Sequence, residues 1–509
     1  MSALHFGFDH SYARDVPAGF RPGQPARAPA PQLVFLNRPL ARELGLDPAA
    51  WTDTLAADVF SGNRLPEDAR PIAQAYAGHQ FGGFSPQLGD GRALLLGELI
   101  DRQGRRRDLA FKGSGRTPFS RGGDGKAALG PMLREVLIGE ALQALGVPTT
   151  RALAVVATGE AVRRDRPLPG AVLTRVAASH LRVGSLQYFA ARGEADSLAR
   201  LVDHAVARHD PELATEPDRA ARALGLLLAV ARRQAALLAQ WMNLGFIHGV
   251  MNTDNMSLSG ESIDFGPCAF LEAYDPATVF SSIDQTGRYA YGNQPHIARW
   301  NLARLAEALL PLLAPPEDDA AQQRAVDRVM EVINAFPDLY AAELLRGQRA
   351  KLGLAPLAGA AADPERDRAD TALGDAWLNL LQNQAVDFTL AWRRLAYAAQ
   401  GQEAPLRGLF AEPAALDPWL LRWRERMAQD GGDASGRAVA MRRVNPWLIP
   451  RNHRVEETLE AASESGDLSP FEELLAALAE PFDERSDRER YAEPAPREVT
   501  ARYQTFCGT

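Results

Sequence analysis

The chain has 509 residues, of which 46% are apolar and 24% are charged, a composition typical of folded proteins. Its 56 basic and 64 acidic residues give a net charge of −8, which argues against nucleic acid as the main partner because such proteins carry a basic face. Two cysteines exclude a disulfide framework and a cysteine-based zinc site. Because a single core stops growing near about 300 residues, the length predicts at least two packed units.

The N-terminus and the apolar segments indicate where the protein works. The first ten residues lack the basic and apolar segments of a secretory signal. The longest apolar helix candidate, from Ala223 to Leu238, is interrupted by Arg232 and Arg233, and no run approaches the ~18 uncharged residues needed to span a bilayer. We therefore expect a cytoplasmic protein with no membrane partner.

The first predicted elements are an extension and a hairpin. Residues 1–85 combine proline-rich coil with one amphipathic stretch from Leu36 to Leu46, which favours an extension lying on another unit. Residues 92–100 and 107–112 then read as two strands, and the turn from Asp101 to Arg105 between them contains a glycine. This pattern predicts a β-hairpin.

The rest of the chain changes from strands to helices. Pro131 and Gly146 bracket a predicted helix, and strands follow at 152–157 and 171–175. From Ser179 onward the pattern is mostly helical, with a long apolar helix over 218–243. The sequence therefore predicts a small β-rich unit, a larger α-rich unit and a charged C-terminal tail whose order depends on docking.

The densest polar cluster spans residues 246–256 and is followed by Ile263-Asp-Phe-Gly266. Asn255 and Asp264 offer the oxygen ligands that a hard cation such as Mg²⁺ prefers, and a magnesium site implies phosphate. Asn and Asp also form turns, which explains any one of these residues taken alone. The combination is what favours a metal site.

Three further features precede this cluster. The segment Leu88-Gly-Asp-Gly-Arg92 enters the first strand, where glycine lets the backbone approach a phosphate. Lys112 ends the second strand, and Glu135 lies on an apolar helix face, so that it points inward and needs a cationic partner. Lys112 is the expected partner, although each charge taken singly also fits a solvated surface.

The order of these features is the order found in a protein kinase: glycine turn, strand lysine, helix glutamate, His/Asn loop and Asp-Phe-Gly. The loop departs from the kinase pattern because Val250 stands where the catalytic aspartate belongs. An acid remains at Asp254, directly before Asn255, from where it can accept a hydroxyl proton.

Five motifs together resemble the selenoprotein O family. They are Gln80-Phe-Gly, Leu88-Gly-Asp-Gly-Arg92, Phe111-Lys-Gly-Ser-Gly-Arg-Thr-Pro-Phe-Ser120, His248-Gly-Val-Met-Asn-Thr-Asp-Asn-Met256 and Asn445-Pro-Trp447. The resemblance implies an α+β, protein-kinase-like bilobal fold that binds ATP in a flipped orientation. It also implies transfer of AMP to Ser, Thr or Tyr hydroxyls of proteins with release of pyrophosphate, and some members of the family use UTP.

The resemblance also implies roles for individual residues. Asp254 is the expected proton acceptor, and Asn255 and Asp264 are the expected ligands of Mg²⁺ or Mn²⁺. The expected nucleotide contacts are Gly89, Gly91, Arg92, Lys112, Asp124, Gly125, Arg175, Arg182 and Asp264. The expected organisation is an N-terminal extension (1–85), a kinase-like N-lobe (86–185), a C-lobe with the catalytic loop and Asp-Phe-Gly (186–320), and a C-terminal helical region with the tail (321–509).

Two functional alternatives and one regulatory hypothesis accompany this reading. A phosphotransferase would deliver the γ-phosphate to a protein or a small molecule, and Val250 suggests an inactive pseudokinase that acts as a binding scaffold.

The regulatory hypothesis concerns the two cysteines. Cys268 follows Asp-Phe-Gly-Pro267, and Cys507 occupies the place of the selenocysteine in selenium-containing relatives. A reversible disulfide between them would tie the tail across the active-site mouth, whereas the alternative is a buried Cys268 and a free Cys507.

Overall fold

The computed structural model describes residues 4–354 and 363–506. The strands are β1 (Phe20–Pro22), β2 (Gln32–Leu36), β3 (Ile72–Gln74), β4 (Gly78–Gln80), β5 (Gly83–Ser85), β6 (Ala93–Ile100), β7 (Arg106–Lys112), β8 (Ala127–Ala128), β9 (Arg151–Arg163), β10 (Pro167–Ala177), β11 (Phe246–Ile247) and β12 (Ala269–Phe270). The helices up to the long central one are α1 (Ser11–Asp15), α2 (Arg38–Glu43), α3 (Asp53–Ser61), α4 (Leu129–Ala144), α5 (Val183–Ala190), α6 (Ala195–His209) and α7 (Arg219–Leu244).

The C-terminal half is helical, as the sequence predicted. Its helices are α8 (Gln294–Leu313), α9 (Asp319–Lys351), α10 (Pro364–Asn383), α11 (Phe388–Ala398), α12 (Ala404–Arg407), α13 (Asp417–Asp430), α14 (Ala434–Arg442), α15 (Asn452–Glu460), α16 (Ser469–Leu478), α17 (Glu489–Ala492) and α18 (Arg497–Thr500). None of the helices in the described part of the chain has the length and apolar character needed to span a bilayer.

An eight-stranded antiparallel sheet forms the β-rich part of a mixed α/β fold. Its order is β1-β3-β6-β7-β10-β9-β2, with β8 pairing to β10. The predicted hairpin is confirmed as β6 and β7, in register from Ala93 opposite Lys112 to Ile100 opposite Arg106. The two later strands are longer than expected because β9 and β10 pair with each other well beyond their apolar centres.

Residues 1–85 differ most from the sequence prediction: instead of coil with one amphipathic stretch, they contribute three strands to the main sheet. β1 and β3 pair with each other at one edge of the sheet, and β2 pairs with β9 at the other. The amphipathic stretch is α2, whose Leu40 and Ala41 are buried. These strands are short and proline-flanked, so their pairing depends on tertiary partners rather than on a period-2 pattern.

Two helices place the functional loops. α4 lies against β9 and β10 and is buried on most of its surface, which explains its continuous apolar sequence. α7 spans 26 residues and ends at Gly245, whose φ of 74° gives the left-handed C-cap. β11 and the polar loop of residues 248–256 follow immediately, so the helix end sets the position of that loop.

The C-terminal region has its own core and docks its tail onto the rest of the molecule. Four buried tryptophans, Trp377, Trp392, Trp419 and Trp423, share one apolar cluster. The tail returns to the segment after β12: Ser282 N donates to Thr505 O at 3.0 Å, and Thr505 N donates to Phe280 O at 2.8 Å.

Candidate active site

The predicted site residues other than the cysteines line one cleft of about 1140 Å³. They come from the glycine turn before β6, the end of β7, the loop before β8, α4, β10, the N-cap of α5, the polar loop and the Asp-Phe-Gly segment. They are Gly89, Gly91, Arg92, Lys112, Asp124, Gly125, Glu135, Arg175, Arg182, Asp254, Asn255 and Asp264. The fold therefore gathers residues that are separated by up to 175 positions in sequence, as 264 − 89 = 175.

A buried charge network forms the floor of the cleft. Lys112 Nζ donates to Glu135 Oε1 at 2.9 Å and to Asp264 Oδ1 at 2.6 Å, and Arg175 Nη1 donates to Asp264 Oδ1 at 2.8 Å. Glu135 Oε1 also accepts from Phe265 N at 3.0 Å, which holds the Asp-Phe-Gly backbone against α4. Burial opposes ionisation of Asp264, but the charges of Lys112, Arg175 and Arg182 hold its pKa well below the usual range.

Arg175 is itself held by a buried histidine that the sequence did not single out. His180 Nδ1 lies 3.0 Å from Asp108 Oδ2, and Arg175 Nε lies 3.3 Å from His180 Nε2. Burial opposes ionisation of Asp108, but the Arg208 charge and the His180 hydrogen bonds hold its pKa far below the usual range. Because an ionised carboxylate only accepts, Nδ1 of His180 donates to it and Nε2 accepts from Arg175.

Arg182 occupies the N-cap of α5 and is also buried. Its Nη1 donates to the backbone oxygen of Asp254 at 3.1 Å, and its guanidinium lies 4.4 Å from the ring centroid of Tyr76. Arg175 and Arg182 are therefore not surface arginines, and both point their charge toward the acids of the cleft. Their proximity could not be read from spacing, because it depends on the turn between β10 and α5.

Asp254 is buried beside these arginines. Its Oδ2 accepts from Gln80 Nε2 at 3.1 Å, and its Oδ1 is buried with no hydrogen-bond partner among the described residues. Burial raises the pKa of Asp254 to about 6, against the opposing charge of Arg182. A cleft-lining carboxylate that has one oxygen without a hydrogen-bond partner is suited to accept a proton.

Asn255 follows Asp254 in a short 3₁₀ turn and lines the same cleft, with Nδ2 donating to Val250 O at 3.0 Å. Within the described residues, no three His, Cys, Asp or Glu side chains converge as a metal site. The amide oxygen of Asn255 and the carboxylate of Asp264 match the donor set of Mg²⁺, which uses few protein ligands and completes its shell with phosphates and water.

The glycine turn lines the same cleft. Gly89 has a φ of 77°, and a Cβ placed there would lie 2.3 Å from the Phe119 ring, so only glycine fits. The loop before β8 packs on this turn: Thr117 Oγ1 donates to Asp90 O at 2.6 Å, and Ser120 Oγ donates to Gly91 O.

The loop before β8 also carries Asp124 and Gly125. Glycine at position 125 allows the two ends of the loop to lie in close contact, because a Cβ there would lie 2.1 Å from Gly115 O. Arg164 Nη1 donates to Asp124 Oδ2 at 2.9 Å, and the Asp124 side chain remains 41% exposed. Asp124 thus faces the cleft from an accessible position, unlike the buried Asp254 and the partly buried Asp264.

Of the two cysteines, the structure describes only Cys268. Cys268 is fully buried, and burial raises the pKa of its thiol to about 12. Thr505 Oγ1 donates to Pro267 O at 2.7 Å, so the tail passes close to Cys268. Cys507 lies outside the described residues, and the Cys268–Cys507 disulfide remains a prediction.

Sequence reasoning missed the hairpin of β4 and β5, whose Gln80 was noted only as part of a motif. His79 N donates to Thr253 Oγ1 at 2.7 Å, and Phe81 N donates to Asn252 Oδ1 at 3.0 Å. The hairpin therefore lies on the polar loop. The turn signal at Phe81-Gly-Gly83 was available in the sequence, but its contact with a loop some 170 residues later was not.

Comparison with known proteins agrees with the motif resemblance. The family model described as protein adenylyltransferase SelO matches residues 8–479. The protein nucleotidyltransferase YdiU of Cereibacter sphaeroides is 59% identical over 507 residues, which covers 99% of this chain and 100% of that protein. The protein of the same name from Chromobacterium violaceum is 59% identical over 494 residues, with 97% and 100% coverage, and that of Methylorubrum populi is 55% identical over 517 residues, with full coverage of both. The chain therefore belongs to the protein adenylyltransferase SelO family.

Proposed function

We propose that this protein transfers AMP from ATP to Ser, Thr or Tyr hydroxyls of other proteins. Nucleotidyl transfer onto proteins follows from the family to which the chain belongs. The observation that carries the finer proposal is the position of Asp254, which lies beside Asn255 in a cleft that also contains the Lys112–Asp264–Arg175 network. UTP is a second candidate nucleotide, because some members of the family use it.

The reaction forms a bond between the acceptor oxygen and the α-phosphorus and breaks the bond from that phosphorus to the pyrophosphate oxygen. The hydroxyl proton passes to Asp254, whose Oδ1 is free to receive it. Lys112, Arg175 and Arg182 offset the phosphate charges, as preorganised cations do in a cleft of low dielectric. Pyrophosphate leaves with the negative charge.

A divalent ion, Mg²⁺ or Mn²⁺, would be held by Asn255 and Asp264. When bound it would neutralise phosphate charge and orient the triphosphate. Asp264 is prepared for this role because its pKa is well below the usual range, so it remains ionised at neutral pH. Asn255 would contribute an uncharged oxygen.

The division of the chain into lobes is part of the same proposal. Residues 86–185 would act as a kinase-like N-lobe, residues 186–320 as the C-lobe, and residues 321–509 as an added helical region. The strands β1, β2 and β3 of residues 1–85 belong to the same sheet as β6 and β7, so the extension would be a built-in part of the N-lobe. The cleft would then lie between the lobes.

Labelled ATP tests the function against its two alternatives. Incubation with a mixture of bacterial proteins and ATP labelled at the α-phosphate is expected to label proteins, whereas γ-labelled ATP is not. Label from the γ-phosphate alone would indicate a kinase, and label from neither would indicate a pseudokinase scaffold. Either result would contradict AMP transfer.

The glycine turn provides a stability prediction with a matched control. Gly89→Ala is expected to lower the thermal unfolding midpoint and to weaken ATP binding about tenfold, because its Cβ overlaps the Phe119 ring. Gly104→Ala has the same φ of 77° but no atom within 4 Å of its Cβ, so it carries only the backbone strain. Equal midpoints and equal Kd values for the two variants would show that the overlap is relieved at no cost.

His180 provides a prediction about positioning. His180→Leu removes the acceptor for Arg175 Nε and is expected to raise the KM for ATP about tenfold with a smaller change in kcat, since Arg175 would still be present but less well oriented. His180→Gln keeps an acceptor and is expected to recover most of the affinity. An unchanged KM in the leucine variant, or equal defects in both, would remove His180 from this role.

A further inference from the structure

The β4–β5 hairpin carries exposed aromatic side chains at the cleft. Phe81 and Gly82 form a two-residue turn with φ values of 50° and 85°, as a tight hairpin requires. Phe81 is 39% exposed and Phe84 is 43% exposed, although large aromatic side chains are usually buried. Phe81 lines the cleft that contains Asp254. The hairpin therefore presents apolar surface where an acceptor protein would have to approach.

The base of the hairpin is fixed to the proposed catalytic residues. Three consecutive residues contact the polar loop: His79 N reaches Thr253 Oγ1, Gln80 Nε2 reaches Asp254 Oδ2, and Phe81 N reaches Asn252 Oδ1, at 2.7, 3.1 and 3.0 Å. A group that binds the hairpin tip is thereby placed at a set distance from Asp254. This arrangement suits docking of a substrate segment better than a separate interaction site.

Apolar and cationic side chains extend the surface around the tip. Ile283 is 51% exposed and lines the same cleft. Arg192 Nη1 donates to Pro86 O at 2.9 Å, just after the hairpin, and the Arg288 guanidinium lies 4.9 Å from the Trp300 ring centroid. Across residues 4–354 and 363–506, neither Arg192 nor Arg288 forms an ion pair with a carboxylate. Arg192 also donates to Tyr188 O and Gln87 Oε1, which hold its guanidinium in place. No carboxylate of the described residues neutralises its charge or that of Arg288, so both charges can attract an acidic partner.

We propose that Phe81, Phe84, Ile283, Arg192 and Arg288 form an acceptor platform that docks the hydroxyl-bearing segment of the substrate protein. The platform favours a segment in which apolar and acidic side chains flank the modified residue. Apolar contacts with the rings would exclude water from the cleft mouth, and acidic side chains would pair with the two guanidinium groups. This inference rests on the proposed function and specifies the chemistry of its protein partner.

Synthetic peptides test the platform directly. Three sets carry a central Ser, Thr or Tyr flanked by Glu and Leu, by Lys and Leu, or by Glu and Asn, and transfer of the α-label from ATP to each is measured. The Glu/Leu peptides are expected to have the highest kcat/KM, about tenfold above the other two sets, the effect of one well-packed interface side chain. The advantage over the Lys peptides is expected to shrink as salt is raised.

Variants of the platform then assign the preference to named residues. Phe84→Ser and Ile283→Ser are expected to raise the KM for the Glu/Leu peptides about tenfold without changing the Kd for ATP. Arg192→Glu combined with Arg288→Glu is expected to shift the preference toward the Lys/Leu peptides. Leu421→Ser and Arg422→Glu are the controls, because both residues are exposed on α13, which does not line the cleft.

The outcomes distinguish failure of the acceptor platform from failure of AMP transfer. Equal use of the three peptide sets by the unmodified protein, or unchanged KM values in Phe84→Ser and Ile283→Ser, would overturn the platform and leave AMP transfer intact. Absence of α-label on every peptide while the protein mixture is still labelled would overturn the platform and leave AMP transfer intact. Absence of α-label on both would contradict the transfer itself. Loss of ATP binding in the platform variants would place these residues in the nucleotide site instead.

Discussion

Replacing Asp254 with alanine is expected to lower the rate of AMP transfer by about 10²- to 10⁴-fold, the range associated with loss of a general base. Asp254 Oδ1 is buried and has no hydrogen-bond partner among the described residues, whereas the Asp264 carboxylate accepts from Lys112 and Arg175. The measurement is single-turnover transfer of α-label at saturating ATP. The Kd for ATP is expected to remain close to that of the unmodified protein.

The matched variant is Asp254→Asn, which keeps the size of the side chain and an oxygen to accept from Gln80. It is expected to be as slow as the alanine variant, because an amide oxygen is not a useful base at neutral pH. Wild-type turnover in Asp254→Asn would show that Asp254 is a turn residue and that another group receives the proton. A slow asparagine variant with unchanged ATP affinity would separate catalysis from binding.

Replacing Asp264 with asparagine is expected to act mainly on metal-dependent nucleotide binding. The change removes the negative charge between Lys112 and Arg175 and one of the two proposed metal ligands. We expect the Kd for ATP in the presence of Mg²⁺ or Mn²⁺ to rise by about 10²-fold, the effect of losing roughly 2.8 kcal/mol of binding free energy. Titration calorimetry with and without the metal ion measures it.

The comparison without metal distinguishes the roles of Asp264. If Asp264 serves as a ligand, the metal-dependent part of the affinity disappears in Asp264→Asn. If it only neutralises Lys112 and Arg175, metal-free ATP would bind more tightly to the variant and the metal effect would persist, which contradicts the assignment. Glu425→Gln, an exposed carboxylate on α13, controls for a general change in charge.

Much of the β-rich part could be predicted from sequence because its signals are local. The β6–β7 hairpin has an apolar run on each side of a glycine-containing turn, and its register follows from that turn. The same applies to α7, where apolar periodicity ends at Gly245. The strands β1 and β2 lack such signals, since they are short and form only by pairing with β3 and β9.

The contacts among the cleft residues also divide into those that the sequence predicted and those that it did not. Lys112 and Glu135 were expected to meet because one ends a strand and the other occupies an apolar helix face. Nothing local indicates that Arg175 also reaches Asp264, or that His180 holds Arg175. Such contacts depend on the relative placement of β10, α5 and the Asp-Phe-Gly segment, which is decided by packing across the whole core.

By itself, the sequence determined the types of element, the polar loop, the absence of the usual kinase aspartate at Val250 and the family. These follow from residue identity and short-range periodicity, which the backbone expresses locally. Only the tertiary structure decided that Lys112 and Asp264, 152 residues apart, share a hydrogen bond, and that the β4–β5 hairpin lies on Asp254. Contacts between residues so far apart in sequence are stabilised by burial of apolar surface elsewhere in the molecule. The residues that meet therefore carry no local sequence pattern that predicts the contact.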